Sequence, residues 1–132
     1  TQEEAEHSGE FFNFPPVRSY PKPVQKPYPP IIIGGMAKNV LQRVVDHGDG
    51  WMPNRVTPAE LEDARRQLDT LAGAAGRDPK SITITVYGQA ADRAAFRSLL
   101  DAGADRVVVR PEFVETEAEM GQQLERIAEM VL

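Results

Sequence analysis

A glycine pair behind a short apolar run, and a few polar residues placed where strands should end, are the groups on this 132-residue chain with chemistry to offer. In Ile31-Ile32-Ile33-Gly34-Gly35-Met36, three β-branched residues read as a buried parallel strand, and the glycines let the backbone turn sharply into a helix expected from Ala37. The N–H groups of Gly34, Gly35 and Met36 then converge with the positive end of that helix, an arrangement able to hold a phosphate. Lys38 adds a charge nearby. A plain tight turn uses the same glycines, and the residues alone leave both readings open. The pattern is neither GxGxxG nor a P-loop, whose lysine it lacks.

The second candidate is Asp49-Gly50-Trp51-Met52-Pro53-Asn54. Trp51-Met52 reads as a short strand, so Asn54, with Arg55, falls at its C-terminal end, where barrel enzymes build their sites. Trp51, the only tryptophan, reads as an apolar anchor under the rim. Asp49 reads as a turn or cap residue, because no partner carboxylate or histidine can be placed beside it. The third candidate is Arg110, after the run Val107-Val108-Val109, where a guanidinium could clamp an anionic group or simply mark a solvated strand end. His7 and His47 are the only histidines and lack ligand spacing, and there is no cysteine. No metal site is expected, and no disulfide or thiolate chemistry is possible.

Regular elements must position these groups. Ala37 to His47 carries Val40, Leu41, Val44 and Val45 on one helical stripe, closed by Gly48. Thr57-Pro58-Ala59-Glu60 joins a threonine N-cap, a proline at the first helical position and a glutamate three residues after the cap, so a helix runs from there through Leu61, Ala64, Leu68, Leu71 and Ala75 to Gly76. Ser81 to Tyr87 alternates, with Ile82, Ile84 and Val86 on one face and Thr83, Thr85 and Tyr87 on the other. Asp92 to Ala102 forms a helix around Phe96, Leu99 and Leu100, and Arg106 to Arg110 a fourth strand. Thr116-Glu117-Ala118-Glu119 is a second capping box, opening a helix with the stripe Met120, Leu124, Ile127, Ala128 and Val131. Charged helix faces such as Glu60, Glu62, Asp63, Arg65 and Arg66 read as solvated surface. These are four βα units, expected to pair in parallel through right-handed crossovers.

Residues 1–30 hold seven of the eleven prolines, among aromatics from Phe11 to Tyr28, and read as an extended arm without regular helix ahead of a domain spanning 31–132. The Pro-rich words could serve as an adaptor-domain ligand, but aromatics at this density favour packing onto the chain's own domain. With 15 basic against 20 acidic residues the formal charge is -5, which argues against a nucleic-acid partner. No apolar stretch approaches the roughly 20 residues of a membrane span, so a cytoplasmic protein is expected. The opening at Thr1 without methionine suggests a processed product or a piece of something longer, and four further βα units are expected upstream if the reading frame extends there.

Several of these words stand together and in order. Pro30 to Gly35, the DGW strand from Asp49 to Pro53 and Gly76-Arg77-Asp78-Pro79 resemble the C-terminal half of a luciferase-like monooxygenase, the flavin- or deazaflavin-dependent barrel family. Gly9-Glu10-Phe11-Phe12 and Pro21-Lys22-Pro23-Val24-Gln25 look like the segment before that family's fifth strand. The resemblance implies an α/β fold of four βα units forming half of a TIM (β/α)8 barrel. A flavodoxin-like doubly wound sheet is the alternative, against which the polar residues Thr83 and Thr85 weigh. It also implies an oxidoreductase with FMN or the deazaflavin coenzyme F-420, whose phosphate lies beside Gly34, Gly35 and Met36, with Asn54 and Arg110 toward substrate. No catalytic residue is assigned, because in that family the missing N-terminal half carries those side chains. A half-barrel alone is expected to be inactive. Its uncovered face and free edges point to a homodimer or higher oligomer, with the arm covering the face or swapping across. A non-catalytic half-barrel that dimerises or binds a partner or a phosphorylated small molecule is the competing reading.

Overall fold

The computed structural model describes residues 2–131. The chain falls into two compact units, Thr1–Pro30 and Ile31–Leu132.

In the first unit, β1 (Ala5–Ser8) and β2 (Asn13–Val17) pair antiparallel, with His7 opposite Phe14, around a turn closed by the Gly9 N–H to the Phe12 carbonyl at 2.9 Å. Regular pairing in a segment this rich in proline was not expected. The register shifts between Ala5 and His7, and Pro15 and Pro16 fall opposite that irregularity, where a missing N–H breaks no regular ladder bond. Arg18 Nε meets Glu4 Oε1 at 2.8 Å, and Lys22 Nζ stands 5.0 Å from the Tyr20 ring centre.

The second unit runs β3 (Ile32–Gly34), α1 (Val40–His47), β4 (Gly50–Met52), α2 (Pro58–Ala74), β5 (Thr83–Gln89), α3 (Arg93–Asp101), β6 (Arg106–Val109) and α4 (Glu117–Val131), with a 3-10 turn at Pro79–Ser81. The four strands are parallel and ordered β3-β4-β5-β6. That order follows the sequence without the reversal that marks a doubly wound sheet, so the flavodoxin-like alternative is set aside. Helices close one face: Val40, Val44 and Val45 of α1, Leu61 and Leu68 of α2 and Leu99 of α3 form one core with Trp51, Ile82, Ile84 and Val86. The opposite face carries Ile32, Thr83 and Tyr87, all exposed, while Thr85 in mid-sheet is buried.

Several expectations are corrected. Ile31 and Ile32 are exposed, Ile32 by 40%, because β3 is an edge strand and Ile32 lies on the face without helices. α1 starts at Val40 rather than Ala37, since its apolar stripe begins there and Ala37 to Asn39 have no core to pack on. Leu100 is exposed on α3. The α4 stripe is at best half-buried, with Leu124 exposed, although the Thr116–Glu119 capping box forms as expected. Arg65 is not solvated surface: its guanidinium donates to the Ile82 carbonyl at 3.1 Å and the Pro79 carbonyl at 3.0 Å.

Candidate functional site

The candidate residues fall along one edge of the sheet, the C-terminal ends of the four parallel strands. In order across the sheet they are Gly34-Gly35-Met36 at the end of β3, Asn54 after β4, Tyr87 near the end of β5, and Arg110 just past β6.

At the first position Gly35 has φ +105, a conformation that glycine adopts freely and other residues rarely, and a Cβ built on it meets nothing within 4 Å. The turn is held from beneath. Trp51, 2% exposed, donates its indole N–H to the Gly35 carbonyl at 2.9 Å, so the anchor expected of this tryptophan also fixes the glycine turn. The Gly35 N–H is directed into the fold, to the Met52 carbonyl at 3.3 Å. Of the three amides expected to face a phosphate, that of Gly35 is bonded across the sheet. The Met36 N–H has no partner among the described residues. The later start of α1 also moves its positive end away from the glycines. What remains is an open left-handed turn beside an amide without a partner, which suits a small anion held by backbone.

Asp49 plays the structural part expected of it, accepting from the Ile31 N–H at 2.8 Å. Arg77 was missed as a fixture. It donates to the carbonyls of Gly48 at 2.6 Å and Val45 at 3.1 Å, satisfying groups that the end of α1 leaves free. Its only signal was the basic residue after Gly76 in a loop.

Asn54 pairs with Tyr87 in a single parallel bridge, one step past the regular ladder. Tyr87 was read only as a strand residue on the polar face, and alternation was the signal that could have flagged it. Arg110 is exposed, with its N–H on the Gln89 carbonyl at 3.0 Å. It lines a cleft of about 550 Å³ with Val109, Pro111, Arg126, Ile127 and Met130. The glycine turn and Asn54 do not reach that cleft. Among the described residues no group of three or more His, Asp or Glu could hold a metal, and no helix is long and apolar enough to cross a membrane.

Residues 1–130 match the family model for luciferase-like monooxygenases. The chain belongs to this family. A curated relative, an uncharacterised protein of Mycobacterium tuberculosis, is 37% identical over 92 residues, covering 65% of this chain and 31% of its own length. The oxygenase component of the flavin-dependent trigonelline monooxygenase of Acinetobacter baylyi is 40% identical over 68 residues, 52% of this chain and 18% of that protein. This luciferase-like chain thus spans under a third of the length of these relatives. Among solved structures, the coenzyme F420-dependent tetrahydromethanopterin reductase of Methanopyrus kandleri superposes with a TM-score of 0.73 at 13% identity, over 96% of this chain and 56% of that one. An F420-dependent secondary alcohol dehydrogenase superposes with a TM-score of 0.55 at 16% identity, over 100% and 49%. At these identities the likeness is one of fold.

Proposed function

We propose that this chain is one half of a (β/α)8 barrel and supplies the phosphate side of a flavin-type cofactor site, FMN or coenzyme F-420, in a cytoplasmic oxidoreductase. The observation that carries this reading is the Gly35 turn at the C-terminal edge of a consecutive parallel sheet, open above and pinned below by Trp51. Gly34 and Gly35 allow close approach of the phosphate, and the Met36 N–H donates to it. The bound cofactor supplies hydride transfer or oxygen insertion. Asn54 orients a polar group of the substrate or cofactor at the strand ends, and Arg110 offers a planar fork for an anionic substituent.

Turnover needs cofactor and substrate held within about an ångström of productive geometry, which loops from four units cannot do alone. The isolated chain is therefore inactive in this reading. The experiment is a titration of FMN and F-420 into the chain and into Gly35→Val. A side chain at φ +105 is strained whatever the space, so the variant rearranges the turn and binding weakens by about 1–3 kcal/mol. Equal affinities remove the assignment.

A second reading rests on the uncovered sheet face and the two edge strands, β3 and β6. Parallel sheets are rarely left open on one side, and two copies would supply eight strands. On this reading the chain is a non-catalytic half that forms a homodimer or higher oligomer. Sedimentation at micromolar concentration tests it, and a monodisperse monomer overturns it.

A further inference from the structure

The cleft between the end of β6 and α4 is lined by charged groups that the fold leaves unpaired. Gln123, Arg126, Ile127 and Met130 stand at i, i+3, i+4 and i+7 of α4, so one helix face forms a wall of it. Arg110, just past β6, lines it too. Its N–H is held by the Gln89 carbonyl at 3.0 Å and the following Pro111 restricts its backbone to extended form, so the guanidinium is presented from a fixed base. Glu112 and Glu129 border the same space. The ion pairs among the described residues, Arg18–Glu4, Arg65–Asp69, Arg66–Asp63 and Arg77–Asp49, use none of these arginines or glutamates. Gln123 adds a further unmet group, since its Oε1 is shut off from solvent and has no hydrogen-bond partner among the described residues. A second such atom is Nε2 of Gln89, one residue before Ala90 of the cleft wall. A buried acceptor and a buried donor without partners carry a cost that a ligand can remove. Val109, Pro111, Ile127 and Met130 supply apolar contact, and the volume of about 550 Å³ falls within the range of small-molecule sites.

We propose that this cleft is a second ligand site, separate from the cofactor's, for a small zwitterion built like a dipeptide. Arg110 and Arg126 take its carboxylate, and Glu112 and Glu129 take its ammonium group. An amide between the two ends carries the N–H that Gln123 Oε1 lacks and the carbonyl that Gln89 Nε2 lacks. A simple anion would face two carboxylates and a simple cation two guanidinium groups, so only a molecule with both charges suits both pairs. The glycine turn does not reach the cleft, so the proposal stands independently of the cofactor reading.

Three probes separate the charges: leucyl-leucine, N-acetyl-leucyl-leucine, which lacks the ammonium, and leucyl-leucinamide, which lacks the carboxylate. They are titrated calorimetrically into the chain and its variants, with circular dichroism confirming the fold of each. Leucyl-leucine binds, and each capped form binds about tenfold more weakly. Arg126→Met weakens leucyl-leucine but not the amide, and Glu112→Gln with Glu129→Gln weakens leucyl-leucine but not the acetyl form. Gln123→Met weakens all three and raises the urea midpoint, because it removes an acceptor that the fold leaves without a donor. Capped forms that bind as well as leucyl-leucine overturn the proposal. So does a Gln123→Met chain that binds unchanged or unfolds at lower urea, or a wild-type chain that binds no leucyl-leucine at millimolar concentration.

Discussion

Replacing Trp51 with phenylalanine probes the link between core and site, because this residue alone belongs to both. Its indole is 2% exposed, and its N–H reaches the Gly35 carbonyl at 2.9 Å. Phenylalanine keeps an aromatic ring but loses that donor. The orphaned carbonyl belongs to an exposed glycine and can turn to water, so the lost bond costs about 1 kcal/mol, the low end for a hydrogen bond. Shrinking the ring leaves about 40 Å³, worth about 1 kcal/mol at roughly 24 cal/mol per Å³. Together Trp51→Phe destabilises the unit by about 2 kcal/mol and lowers its Tm by about 10 °C. Circular dichroism in urea follows the transition, since the substitution removes the only tryptophan. Amide exchange at Gly35 and Met36 should accelerate more than at β5. A variant with unchanged midpoint and unchanged exchange in the turn would refute the claim that Trp51 pins it.

Arg77→Met should cost about 2 kcal/mol by freeing the α1 carbonyls, discounted for a side chain that is a quarter exposed, whereas Arg66→Met, an exposed i,i+3 pair with Asp63, should fall within about 0.5 kcal/mol in the same urea series. Gly50→Ala should destabilise by about 1–3 kcal/mol, because its Cβ would stand 2.8 Å from the Thr83 carbonyl, while Gly73→Ala, with open space on α2, should stabilise by about 0.5–1 kcal/mol. Glu60 and Glu119 have pKa values held below the ordinary 4.5, Glu60 by the Thr57 N–H and then its hydroxyl, Glu119 by the Thr116 hydroxyl and then its N–H. A lowered folded-state pKa contributes stability that is present above 4.5 and lost as pH falls through the lowered value, so Glu60→Gln with Glu119→Gln should flatten the acid limb of a Tm-against-pH curve below pH 4.5 and leave its shape near neutrality unchanged.

Local rules read the elements well wherever one signal dominated. The Thr57–Glu60 capping box, the alternation of Ile82, Ile84 and Val86, and the apolar stripe of α1 each have one structural solution. Burial was less legible, because it depends on what lies beyond each element. Ile31 and Ile32 look like a central strand in any window of sequence, and only the strand order shows that β3 has one neighbour. The same holds for the α4 stripe, which has no element outside it to pack on among the described residues. Arg65 and Arg77 were hidden because an arginine that caps backbone carbonyls has the same letters around it as a solvated one. At the site, the glycine pair marked the turn, but which amides point outward depended on the Met52 carbonyl across the sheet. The Asn54–Tyr87 contact joins residues 33 apart in sequence and became visible only with the β4–β5 register.

The most direct measurement of the central claim is an amide-resolved NMR titration of the chain with FMN, with riboflavin, which lacks the phosphate, as the control. The account predicts that FMN shifts the Gly34 and Met36 amides most, that the Gly35 amide, bonded to Met52, moves less, and that riboflavin leaves all three nearly still. FMN shifts centred on the Arg110 cleft, or equal shifts with riboflavin at the glycine turn, would contradict it.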